Sequence, residues 1–204
     1  MNTNNILLIK KEDVIEQRVL LPDESFVVGA SNPLECFLIV FNKSVKMNVE
    51  LKEEGAFCSI KTLYLADENN KINLDIMVKH LEAETKSIQQ IKGIATDQSQ
   101  VVFNGNVYID NKAQGSDGIQ NHRALLLSDE AMVQAVPALE IYADDVKCAH
   151  GSATGPLDQN ALFYLLSRGI SEKTSKRILL ESFVSDMIPD SSYSIISQWI
   201  ERHV

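Results

Sequence analysis

Pro137–Gly155 reads PALEIYADDVKCAHGSATG. Its first half alternates apolar and polar side chains, the mark of a strand with one buried face. Its second half gathers Cys148 and His150 among Ala149, Gly151, Ser152, Ala153 and Gly155. Upstream, the chain reads as short strands. Downstream, it reads as helices.

The upstream strands are Ile6–Lys10, Val14–Leu21, Ser25–Ala30, Glu35–Phe41, Lys46–Leu51, Ala56–Tyr64, Lys71–Leu81, Glu84–Ala95 and Gln100–Ile109, rich in Val, Ile, Leu and Phe. Turn residues such as Pro22-Asp23, Ser31-Asn32-Pro33 and Glu53-Glu54-Gly55 separate most of them. No amphipathic helix is legible before about Asp158. A doubly wound sheet needs crossover helices, which argues against that class. An antiparallel sandwich or barrel and a β-helix of stacked turns both remain. No strict repeat is visible, and the pattern alone favours the commoner sandwich. Asp110–Gly118 reads as a polar loop, followed by IQNHRALLLSD at Ile119–Asp129.

After Gly155-Pro156, Asp158 is a suitable N-cap for a helix over Gln159–Ser167, with Leu162, Phe163, Leu165 and Leu166 as its apolar face and Gly169 as its stop. Ser171 caps a second helix, Glu172–Ile188. Its apolar side carries Ile178, Leu179, Phe183, Val184, Met187 and Ile188, with Lys173, Lys176 and Arg177 opposite. Pro189 precedes a third, about Asp190–Arg202, which holds Trp199, the single Trp. The division is 1–156 for the β part and 157–204 for a helical unit apart from it.

The 204 residues carry a net charge of −9, which repels phosphate backbones, so no nucleic-acid partner is expected. The longest apolar run, Phe37–Phe41, is too short for a bilayer, and the N-terminus shows no signal peptide. Cys36, Cys58 and Cys148 form no paired spacing and fit a reducing cytoplasm. Phosphate-loop, nucleophile-elbow and zinc-helix motifs are absent. His80 and His203 sit among polar or terminal residues and read as solvated, as do the turns Asp67-Glu68 and Asp144-Asp145. No self-contained active site is legible, and no enzyme is expected.

Leu139–Gly155 resembles, almost residue for residue, the LEIYADDVKCSHGATVG segment of the SufB/SufD family of iron–sulfur cluster assembly proteins. Phe163–Ile170 resembles its FYLRSRGI, and Ile119–Asp129 lies where SufD-like chains carry a TNNNLLLSD-type segment. The likeness is nearer SufD than SufB and extends over about Val101–Ile188. It implies a right-handed parallel β-helix, against the sandwich preference, and a shortened SufD-like member. It also implies a non-catalytic scaffold whose C-terminal helices dock SufC, an ABC ATPase, with Phe163, Arg168, Lys173 and Arg177 at the contact. The β-helix would pair edge to edge with a SufB-like subunit or a second copy. No cluster would be held stably by one chain; a transient one would form at the subunit interface. His150 matches the family histidine implicated in assembly, and a SufB cysteine position falls on His122. Cys148, two residues before His150, shares its strand face. The alternative reading is a stand-alone homodimer holding metal or cluster through His122, Cys148 and His150.

Overall fold

Twelve strands and three helices form among the residues described by the computed structural model, which are 6–10, 18–19, 23–187 and 192–204. The strands are β1 (Ile6–Lys10), β2 (Arg18–Val19), β3 (Asp23–Val28), β4 (Leu34–Phe41), β5 (Val45–Leu51), β6 (Phe57–Ala66), β7 (Lys71–His80), β8 (Lys86–Ala95), β9 (Gln100–Ile109), β10 (Ser116–Leu126), β11 (Met132–Ile141) and β12 (Val146–Pro156). The helices are α1 (Gln159–Ser167), α2 (Glu172–Val184) and α3 (Tyr193–Arg202). From β3 onward the strands alternate between two sheets. One runs β12-β10-β8-β6-β4-β1-β2 and the other β11-β9-β7-β5-β3. Every pairing is parallel except those of β1, which is antiparallel to β2 and β4.

This is a parallel β-solenoid, and it overturns the sandwich that periodicity alone favours. Parallel neighbours need a long crossover. Here each crossover is a strand of the opposite sheet, so no helix is required. The turn length drifts, which hides the repeat: Cys58, Ser87, Gly118 and Cys148 are successive partners, at intervals of 29, 31 and 30 residues. The preceding step, Leu34 to Cys58, takes 24.

Several boundaries move. Of Val14–Leu21 only β2 is described; the rest lies outside the described residues, as do Pro22, Ile188, Pro189 and Asp190. Ser116–Gly118, read above as loop, already belongs to β10. Pro137–Gly155 is two strands, β11 and β12, joined by a turn in which Ala143 is buried.

Two cores share the seven-stranded sheet. Alternate side chains such as Leu38, Met47, Ile60, Tyr64, Leu74 and Phe103 fill the space between the sheets. On the outer face, Phe37, Ile39, Phe41, Leu63, Leu65 and Ile94 pack under Leu180 and Val184 of α2 and Ile196, Trp199 and Ile200 of α3. The lost alternation in Phe37–Phe41 follows: these strand ends are apolar on both faces because both are covered. The helices therefore share this outer core with the solenoid.

Local chemistry sets the helices. Asp158 accepts from the N–H groups of Asn160 and Ala161, Ser171 accepts from Thr174 N–H, and Gly169 ends the first helix at φ +82. Asp67, read above as a solvated turn residue, is buried and anchors the third: its Oδ2 accepts from Trp199 Nε1 at 2.9 Å and lies 3.1 Å from His203 Nε2. His203 is half-buried, not solvated. Its Nδ1 donates to the Trp199 carbonyl at 2.7 Å, and its ring stacks on the indole at 4.1 Å.

Candidate functional site

β12 and β11 are the edge strands at the same end of their two sheets. Among the described residues no further turn covers them. Parallel register carries side-chain direction from one strand to the next. Gly118, Gln120 and His122 of β10 are buried, and their partners on β12 are Cys148, His150 and Ser152. Those three residues therefore occupy inward-facing positions of a turn left open. The sequence places Cys148 and His150 on one face, and the register agrees.

Their environments differ. Cys148 is half-buried against the small apolar cluster of Val107, Ile109, Ala113 and Ala143. Burial pushes its thiol above the ordinary cysteine range and nearby Asp117 adds to this, while a backbone hydrogen bond with Gly118 works against both. The His150 side chain is exposed and makes no hydrogen bond or ring contact with the described residues.

His122 lies one turn inside and is 1% exposed. Its Nε2 is 2.9 Å from the Tyr64 hydroxyl, its Nδ1 is 3.1 Å from Ser152 Oγ, and its ring stacks on Phe103 at 5.0 Å. Burial lowers its pKa to about 4. Both nitrogens are engaged, so the ring ties the open turn to the core and presents no free donor outward. No group of three or more His, Cys, Asp or Glu side chains converges on a metal position among the described residues. Cys148 and His150 thus stand without a third side chain of this kind converging on them among the described residues.

His80 is fully buried, contrary to the solvated reading. Its Nδ1 is 2.9 Å from Thr85 Oγ1 and its Nε2 is 2.8 Å from Ser87 Oγ; burial lowers its pKa to about 4.

A second surface lies on the helices. In α1 only Leu162 is buried, while Phe163, Tyr164 and Leu166 are 72%, 58% and 41% exposed. The guanidinium of Arg168 lies over the Tyr164 ring at 5.2 Å. Lys173 is exposed and Arg177 half-buried, its Nε buried without a hydrogen-bond partner. Lys176 is paired with Glu172 at 2.6 Å, which offsets one of the three charges of the basic stripe read from sequence. Ile178, assigned to the apolar side, is 39% exposed.

Sequence reasoning missed Gln120, Ser152 and Tyr164. A turn length near 30 residues is the signal that sets Gln120 opposite His150 and Ser152 opposite His122. Tyr164 follows from the helical wheel once Leu162 marks the buried side. No helix among the described residues is long and apolar enough to cross a membrane.

Fold and site together define a parallel β-solenoid with an open, Cys- and His-bearing end and an exposed apolar helix. The chain matches the SUF system FeS cluster assembly, SufBD core domain family over residues 16–183, and it belongs to that family. It is 32% identical over 140 residues to the iron–sulfur cluster assembly protein SufD of Escherichia coli, covering 69% of this chain and 33% of that one. Protein ABCI7, chloroplastic, of Arabidopsis thaliana is 32% identical over 161 residues, covering 77% and 34%. The SufD of Bacillus subtilis is 27% identical over 135 residues, covering 66% and 31%. The chain therefore spans about a third of the length of the curated relatives it matches. Iron–sulfur cluster assembly is the role stated in the description of that family and in the names of the SufD relatives.

Proposed function

We propose that this chain is a non-catalytic scaffold subunit of cytoplasmic iron–sulfur cluster assembly. Its open end pairs with a second solenoid, SufB-like or a second copy, and its helices dock a SufC-like ABC ATPase. One observation carries the reading: Cys148 and His150 occupy inward positions of a turn left uncovered among the described residues, and no third His, Cys, Asp or Glu among those residues converges with them. A partner's donors across the β12 edge complete the set, and the cluster is cargo formed there. The backbone edge of β12 supplies the unpaired hydrogen-bonding groups that a partner strand takes up. Phe163, Tyr164 and Leu166 are the apolar anchors for the ATPase, rimmed by Arg168, Lys173 and Arg177.

The test is anaerobic co-expression of the full chain with SufB-like and SufC-like subunits. The reading expects a ternary complex with a visible-absorbing cluster. His150→Ala is expected to lose the cluster and keep the complex; a cluster unchanged by it overturns the site. A cluster reconstituted on the isolated chain, lost on His150→Ala, selects the stand-alone homodimer. Point variants are preferred to removal of the helices, because α2 and α3 cover a shared core.

A further inference from the structure

The interior of the solenoid turns polar toward its open end. In one inward column, Cys36, Ile60, Gln89, Gln120 and His150 are partners in successive strands. Gln89 and Gln120 are both buried, and Gln120 Nε2 donates to Gln89 Oε1 at 3.1 Å. The amide donor of Gln120 is thus directed at Gln89 of β8, and its oxygen is left to find a partner elsewhere. That oxygen is buried and has no hydrogen-bond partner. Gly105, opposite, leaves the amide its space: a Cβ there would lie 2.5 Å from Gln120 Nε2.

A buried acceptor left unpaired is costly. The residue registered with Gln120 on its open side is His150, whose ring nitrogens have no partner among the described residues. Adjacent parallel strands lie about 4.8 Å apart, within reach of an imidazole that rotates about its two side-chain torsions.

We propose that Gln120 is a positioning residue for His150: its Oε1 accepts one ring N–H and so fixes the tautomer and the ring plane. The other nitrogen then presents its lone pair at the mouth of the solenoid. Ligating histidines are commonly held in this way by a carbonyl on the nitrogen remote from the metal. Gln89, by holding the Gln120 amide, sets which end of it faces out. The inference deepens the reading of His150 given above, but its test uses neither cluster nor partner, so either can fail alone.

The test is nitrogen-15 NMR of the His150 ring in the full, labelled chain at about pH 8, where an ordinary imidazole is neutral. The result expected is two separate nitrogen shifts from one tautomer, favoured about tenfold, with a ring N–H protected from exchange. Gln120→Leu is expected to collapse the shifts to the average of free imidazole, and Gln120→Glu, which keeps an acceptor oxygen, to retain one tautomer. Averaged shifts in the unsubstituted chain, as when water satisfies Gln120, overturn the proposal. So does a single tautomer that survives Gln120→Leu. Where the Leu variant does not fold, Gln120→Met is read in its place.

Discussion

The indole N–H of Trp199 donates to Oδ2 of Asp67 across 2.9 Å and 132 residues of chain. The same oxygen lies 3.1 Å from His203 Nε2, and the carboxylate also takes the side-chain amide of Asn42. One acidic residue in the β6–β7 turn thus fixes the seat of the last helix. Asp67→Ala leaves a buried indole N–H unpaired and is expected to cost about 1–3 kcal/mol, read as a lower urea midpoint. Trp199→Ala also opens a cavity beneath α3 and is expected to cost about 3–5 kcal/mol. Equal midpoints for Asp67→Ala and the parent chain would show that the helix is held by packing alone.

Gly93 is where the solenoid has no room for a side chain. A Cβ there would lie 1.8 Å from Cζ of Tyr64, whose ring is fully buried across it. Gly93→Ala must displace that ring and break its 2.9 Å contact with His122, so a loss of about 1–3 kcal/mol or more is expected. Gly155 has nothing within 4 Å of such an atom, so Gly155→Ala serves as control, with a change within about 0.5 kcal/mol. Calorimetric midpoints of the two variants decide it.

The strands were legible because inward residues such as Met47, Val49 and Leu51 alternate with polar ones at period two. Their assembly was not, because antiparallel and stacked parallel strands share that period. Only the resemblance at Leu139–Gly155 pointed to the solenoid. Cys148 and His150 were found through that motif, and alternation placed them on one face. His80, His122 and Asp67 were misjudged or left open for a single reason. Each is polar in sequence, yet its partners (Ser87, Tyr64 and Trp199) come from other strands or a distant helix. Burial of a polar group is a property of tertiary partners, which local pattern does not carry.

The two buried imidazoles set an acid limit on the fold. His80 and His122 have pKa values near 4 in the folded chain, below the ordinary 6.5. The unfolded chain therefore takes up protons first as pH falls. The stability these groups allow is fully present above pH 6.5 and is lost between about 6.5 and 4, at about 1.4 kcal/mol per pH unit for each histidine. His122→Gln is expected to flatten the slope by one such increment over that window, measured by urea unfolding at a series of pH values. An unchanged slope would show that His122 is protonated in the fold.

The exposed side chains of α1 separate docking from stability. Phe163 and Tyr164 touch little of the core, so Phe163→Ser and Tyr164→Ser are expected to leave the thermal midpoint unchanged. Under the proposed reading each weakens capture of a SufC-like ATPase by tenfold or more, as loss of an interface anchor does. Leu162→Ser, at a buried position of the same helix, is the contrast: it lowers the midpoint itself. Capture undiminished in both exposed variants would move the docking surface elsewhere.

Thiol reactivity tests the open end directly. Cys36 and Cys58 are buried, whereas Cys148 is half-buried in the last turn. Burial raises the thiol pKa of both Cys58 and Cys148, so neither is a thiolate at neutral pH. With a disulfide reagent at pH 7.5, one thiol of the three is expected to react in the folded chain, more slowly than a free cysteine, because only the thiolate attacks. All three react in urea. Cys148→Ser is expected to abolish the folded-state reaction while leaving the other two for the unfolded chain. A partner that closes over β12 should protect Cys148 further, so the rate measured with and without a SufB-like subunit reports on pairing at this edge. A Cys148 that reacts equally fast in both would place the interface away from the open turn.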